Sequence, residues 1–214
     1  DVYKRQPWWA PIPFSLPIPE KKIALLKKIE GLKIDPIISA ELDVVAKRLE
    51  DSGWVIEEPK APNFQEAAKF QATLWLGEFR RTGGEAITKE NDPDSNFIYS
   101  QMSRRCPDTS LEKFMDSLQQ RARISREWNK FFDQYPIILC PVTGDVPFPD
   151  LKDLESEESF DLVFDSMLPQ IAPPYMGLPG LSFATSQTKQ KIPLGIQFIS
   201  RKFREDLLLN VGYD

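Results

Sequence analysis

The sequence holds no histidine among its 214 residues. That single absence removes Ser-His-Asp and Cys-His nucleophile systems, imidazole acid–base catalysis and histidine metal sites together. Cysteine is scarce as well: Cys106 and Cys140 are too few for a disulfide framework or a zinc site, so a reducing cytoplasm is the expected compartment. Long apolar runs are missing. A stretch such as Pro136-Ile-Ile-Leu-Cys-Pro-Val142 falls far short of the roughly 20 residues a membrane helix needs, and no membrane span is expected. Positive charge is in deficit, with 27 Lys and Arg against 32 Asp and Glu for a net charge of -5, so nucleic acid is not expected as a partner. What is left is carboxylate, lysine or serine chemistry. A composition of 41% hydrophobic and 28% charged residues is that of a globular protein with one sizeable core.

Residues 1–6 follow no pattern that fits what comes after. They resemble a translated adapter remnant of the kind left at the ends of environmental-library reading frames, and are expected to be non-native. The approach Pro7-Trp-Trp-Ala-Pro-Ile-Pro13, with Pro17 and Pro19, cannot be helical; it is expected to lie extended with its tryptophans anchored on the body, or to serve as a proline-motif ligand. A short apolar strand follows at 22–26. Asp35-Pro36 supplies an N-cap with proline in the first helical position, and Ile38, Leu42, Val45, Ala46 and Leu49 recur at helical spacing before Gly53. With a second strand at 54–58, the pattern predicts a right-handed βαβ unit with parallel strands.

Asn63 with Glu66 predicts a capping box opening a helix through Phe64, Ala67, Ala68, Leu74, Leu76 and Phe79. From 83 to 107 the pattern weakens; Asp92-Pro-Asp and Cys106-Pro-Asp read as breaks in a loop with one short helix at 97–104. Thr109 with Glu112 opens the longest helix, through Leu111, Phe114, Met115, Leu118, Ile124, Trp128, Phe131 and Phe132. Its face of Gln120, Arg121, Arg123, Arg126 and Lys130 is read as solvated, with contact to a ligand as the alternative. A buried strand is expected at 136–140, stopped by Pro141. The acidic residues Asp150, Asp153, Glu155, Glu157 and Glu158 do not follow a calcium-loop spacing and predict a solvated turn. One helix is expected at 160–170 and another from 203 to 211.

The most readable stretch is Met176-Gly-Leu-Pro-Gly-Leu-Ser-Phe-Ala-Thr-Ser186, followed after a polar turn by Ile192-Pro-Leu-Gly-Ile-Gln-Phe-Ile-Ser200. Two uncharged runs, 180–185 and 194–199, flank the turn at 186–191. They predict a pair of strands buried on both faces. Gln197 inside the second run is read as a hydrogen-bonded core amide, with a ligand contact as the alternative.

Three local sequences coincide with a known pattern. Arg123-Ile-Ser-Arg-Glu-Trp-Asn-Lys-Phe-Phe-Asp-Gln-Tyr-Pro-Ile-Ile-Leu-Cys-Pro-Val142, then Gly177-Leu-Pro-Gly-Leu-Ser182, then Ile192-Pro-Leu-Gly-Ile-Gln-Phe-Ile199 resemble the C-terminal half of the amidase signature family, hydrolases of carboxamides. Pro7-Trp-Trp-Ala-Pro-Ile-Pro13 also fits, and the likeness covers nearly everything after Gln6. Departures are Pro174 where the family has Asn, Ala184-Thr-Ser186 where it has Pro-Thr-Gly, and Ser200 where it has Gly. The resemblance implies an α/β fold, a mixed β-sheet flanked by helices in a three-layer α/β/α arrangement, incomplete, with residues 7–214 as the C-terminal part of one domain.

The resemblance also implies machinery that this sequence lacks: a Gly/Ser-rich segment with a nucleophilic serine, a bridging serine in a cis peptide, and a more N-terminal lysine base. A serine attacks an amide only when a neighbouring base takes its proton, and lysine is that base only when desolvation lowers its pKa. No catalytic residue is therefore expected here. The parent is expected to hydrolyse a carboxamide to an acid plus ammonia or an amine by this Ser-cisSer-Lys route, without cofactor or metal, and the chain alone to be inactive. In open α/β sheets ligands sit beyond the carboxyl ends of strands, which singles out Pro141, Val142 and Thr143 as substrate-lining, with Met176 and Gly177 second. Plain turn residues are the alternative. A non-catalytic interaction or scaffold module is the competing class. A partial sheet has open edges, so aggregation or pairing, a homodimer included, is expected of the chain by itself.

Overall fold

The computed structural model describes residues 20–214, so the expectations for residues 1–6 and for the proline-rich approach lie outside the described residues. Five strands form one mixed sheet: β1 (Lys22–Leu25), β2 (Val55–Glu57), β3 (Ile137–Pro141), β4 (Gly180–Gln187) and β5 (Pro193–Ser200), in the spatial order β2-β1-β3-β5-β4. β1 runs parallel to β2 and β3, and β5 runs antiparallel to β3 and β4. The parallel pairing across α1 (Pro36–Asp51) is the one expected of the first crossover.

Side-chain alternation decides where the two cores lie. Ile23, Leu25, Ile137, Leu139, Ile196 and Phe198 point to one face, where α1 and α8 (Glu205–Tyr213) cover them with Leu42, Val45, Leu207 and Leu208. Ala24, Ile138, Cys140 and Ile199 point to the other, beneath α2 (Phe64–Thr82), α5 (Leu111–Gln134) and α7 (Leu168–Met176). The mixed sheet thus lies between two helical layers. Phe64 and Trp128 meet edge to face at 4.7 Å and anchor the second layer. Each such fully buried large apolar side chain contributes about 1.5–3 kcal/mol from burial.

Several helix starts follow their sequence signals. Asp35 accepts from the Ile37 N–H with Pro36 in the first turn, and Asn63 accepts from the Glu66 N–H. The Glu66 carboxylate does not turn back to its own cap; it pairs with Arg123 of α5. The longest helix starts one residue later than expected, since Ser110 and not Thr109 accepts from the Lys113 N–H.

The segment from 83 to 107 corrects the sequence reading. It holds two helices, α3 (Gly84–Glu90) and α4 (Pro93–Arg105), rather than a loop with one short helix. Asn91 in a left-handed conformation ends the first, and Asp92, accepting from the Ser95 N–H ahead of Pro93, starts the second, so the expected break is a cap. The expected helix at 160–170 is also two: α6 (Glu157–Ser166) stops at Met167 and α7 begins at Leu168. β5 is buried as expected, but β4 is not. It is the edge of the sheet; Leu181 and Phe183 lean on the α8 side, while Ser182 and Ala184 on its other face are exposed.

Candidate functional site

The site is built where the chain leaves β1 and β3. Gly144 allows the loop after β3 to press on the loop after β1: a side chain at that position would begin 2.4 Å from the Lys33 carbonyl oxygen. The Gly144 carbonyl accepts from the Asp35 N–H at 2.8 Å, and its own N–H donates to the Ser166 carbonyl at 2.8 Å. Two loops and the α6–α7 junction are thereby drawn together beyond the carboxyl ends of the parallel strands, the position at which α/β sheets bind ligands.

A cavity of about 980 Å³ has Gly31 of the loop after β1 and Asp165 and Leu168, on either side of the α6–α7 junction, in its lining, but not Pro141, Val142 or Thr143. It lies among α2, α4, α5 and the α6–α7 stretch, with Phe70, Trp75, Met102, Phe164, Leu168 and Ile171 as its apolar wall. A second hollow of about 670 Å³ lies beside the loop after β1, next to Lys27, Lys60 and Asn63. The larger one is of the size that takes a small organic molecule.

The sequence-derived site residues fall into two places. Pro141 ends β3, buried, and its carbonyl accepts from Gln197 Nε2 at 3.2 Å; Val142 and Thr143 follow, half-buried, at the junction. The Thr143 hydroxyl donates to the Asp145 carbonyl at 2.8 Å, which fixes the turn. Met176 and Gly177 lie elsewhere. Gly180 pairs with Ile199 and the Pro179 carbonyl accepts from the Ser200 N–H, so this stretch sits at the opposite end of the sheet from Pro141, which pairs with Ile196. Met176 is packed in the core under α2 and α5, and Gly177 caps α7 with φ of +67°.

Gln197 is a core amide. Its Nε2 donates to the Pro141 and Pro169 carbonyls and lies 3.5 Å from Cys140 Sγ, tying β5 to β3 and to the start of α7. Beside it, burial pushes the Cys140 thiol up to about 12, an unreactive state, with the Gln197 contact a smaller opposing effect.

Among the described residues the lysine shifts run upward. Hydrogen bonds to Asp43 and Glu58 hold Lys27 above the ordinary lysine range, Glu57 does the same for Lys22, and Asp51 for Lys47. A lysine base needs the reverse shift. The buried hydroxyls of Ser117, Ser166 and Ser200 donate to the carbonyls of Lys113, Val163 and Arg204. Among the described residues no cluster of acidic, cysteine or histidine side chains is placed to hold a metal ion; in the acidic stretch at 150–158, Glu157 pairs with Arg104 and Glu155 with Lys152.

Sequence reasoning missed the cavity wall on α2 and α4. Trp75 was the available signal: it falls off the core stripe of α2 and is 53% exposed, an unusual setting for tryptophan without a ligand or partner. Met102 lay in the short helix expected at 97–104, and Arg105 in the loop after it.

Comparison with known proteins bears on the family and the fold. The chain is 28% identical over 211 residues to an indoleacetamide hydrolase of Bradyrhizobium diazoefficiens, covering 97% of this chain and 40% of that protein. It is 27% identical over 211 residues to an indoleacetamide hydrolase of Bradyrhizobium japonicum, covering 97% of this chain and 45% of the relative. The solved structure of 6-aminohexanoate cyclic dimer hydrolase superposes with a TM-score of 0.73 at 15% identity, over 92% of this chain and 45% of that one, which is a likeness of fold. The chain therefore spans less than half the length of these relatives. Among the described residues no helix is long and apolar enough to cross a membrane. A family model described as Amidase matches residues 17–209, most of the sequence, and the chain belongs to that family.

Proposed function

We propose that these residues form the substrate-binding side of an amidase that hydrolyses a carboxamide to a carboxylic acid and ammonia or an amine. The nucleophilic serine, the bridging serine and the lysine base are contributed by sequence outside them. Residues 7–214 are then the C-terminal part of one α/β domain, and the open edge of β4 is where the rest of its sheet joins. Pro141, Val142 and Thr143 border the reacting amide, and the 980 Å³ cavity takes the group the amide carries. Met176 and Gly177, at the other end of the sheet, act on this site only through packing.

One observation carries the reading: in a chain of the amidase family, a cavity with an apolar wall lies among α2, α4, α5 and the α6–α7 stretch and reaches Gly31 in the loop after β1. Two free cysteines, one of them fully buried, support the same setting in a reducing cytoplasm. The test is a specificity comparison in the protein expressed from its complete reading frame. Filling the cavity with Ile171→Trp lowers kcat/KM for amides bearing an aromatic or long apolar group by about tenfold or more and leaves acetamide nearly unchanged. An equal effect on both amides removes the cavity from the substrate site.

A further inference from the structure

α4 forms one wall of the cavity without a single fully buried residue. Met102 and Arg105 face the hollow from this helix, and Tyr99 touches Phe79 of α2 edge-on at 5.8 Å. Charge fastens its far end to α6. Arg104 reaches Asp161 at 2.6 Å and Glu157 at 3.2 Å; Arg105 reaches the same Asp161 oxygen at 2.6 Å, pairs with Asp165, and lies 4.6 Å above the Phe164 ring. Burial pushes the Asp161 carboxyl up, and the hydrogen bonds from Arg105 and Arg104 outweigh it and hold it below the usual range. Gly83-Gly84, with two residues of wide backbone freedom, precedes the α3–α4 pair, and Cys106-Pro107, where proline stops the helix, follows it. Arg80 of α2 donates to the Cys106 carbonyl and pins that second end.

We propose that α3 and α4 are a lid over the cavity, latched to α6 by Arg104 and Arg105, and that entry to the cavity requires this latch to open. Ion pairs that are a quarter to a half exposed are screened by salt and are individually weak, whereas a seam of buried apolar side chains would not loosen as ionic strength rises. Phe97, Ile98, Tyr99 and Met102 of α4 are half-buried and none is fully buried, so the ionic seam is the salt-sensitive part of what holds the lid. The inference rests on the cavity and not on amide chemistry, so its outcome is separable from that of the proposed function.

The chain carries its own reporter. Cys106 lies half-buried in the cavity wall, 3.9 Å from Thr73 Oγ1, while the other thiol, Cys140, is wholly buried. The full chain is treated with N-ethylmaleimide, which is uncharged and so does not itself respond to ionic strength, and labelling of the two cysteines is followed by mass spectrometry. Molar potassium chloride is expected to speed Cys106 labelling by about tenfold while Cys140 stays unlabelled. The double variant Arg104→Gln, Arg105→Gln is expected to label at the fast rate in low salt and to lose the salt response; lysine at both positions restores part of it. A Cys106 rate that ignores salt in the wild-type chain overturns the latch, as does a salt response that persists in the glutamine variant. Should the variant unfold, seen as labelling of Cys140, the wild-type salt series alone decides.

Discussion

Cys140 and Gln197 show how a single position in the sheet sets a property of the whole chain. The Cys140 thiol keeps its proton up to about pH 12 in the folded state because burial disfavours the thiolate, whereas an exposed thiol loses it near pH 9. A raised folded pKa means that the folded state binds the proton more tightly. Its contribution is complete below pH 9 and is lost as pH rises from 9 towards 12, with a slope of at most about 1.4 kcal/mol per pH unit. Urea unfolding of the wild type and of Cys140→Ala, measured from neutral pH to about pH 10.5, checks this. The stability difference between them is constant at neutral pH and shrinks above pH 9; a difference that stays constant throughout contradicts the burial argument. At this scale the sequence was partly legible. A glutamine inside an apolar strand could be read as a core amide, because its amide must find partners, but nothing in the order of residues showed that those partners are the carbonyls of Pro141 and Pro169.

Among the elements, those with one apolar stripe and a side-chain cap were readable in advance. α1 has both, with Asp35 and Pro36 at its start and Ile38, Leu42, Val45, Ala46 and Leu49 facing the sheet. α4 has the same opening pair in Asp92 and Pro93 but fully buries no residue, so only its part at 97–104 was read as helix and its start was taken for a break. The ion pairs that hold it join residues more than fifty positions apart, a relation that local pattern does not record. β4 and β5 have similar apolar runs, and only topology separates them: β5 lies between two strands and β4 has one neighbour. The free edge of β4 carries no charge from Gly180 to Gln187, the property that favours strand-to-strand association. Ser182 is exposed on it. The substitution Ser182→Lys is expected to reduce self-association of the isolated chain, read by light scattering, while moving stability by no more than about 0.5 kcal/mol. Unchanged association would place the sticky surface elsewhere.

For the molecule as a whole, the fold class was legible because the sheet alternation and the motifs at 123–142, 177–182 and 192–199 agree, and the mixed sheet with helices on both faces is what the structure has. The cavity was not legible, since its wall comes from five separate parts of the chain brought together by the packing of α2, α5 and α7. What the described residues have is a hollow among α2, α4, α5 and the α6–α7 stretch, lysines held protonated by carboxylates, and buried serines spent on backbone carbonyls. Ammonia release from simple carboxamides, compared between residues 1–214 and the product of the complete reading frame, tests this division of labour most directly. The account predicts turnover by the complete product and none above buffer by residues 1–214 alone. Turnover at enzymatic rates by the shorter chain would contradict it.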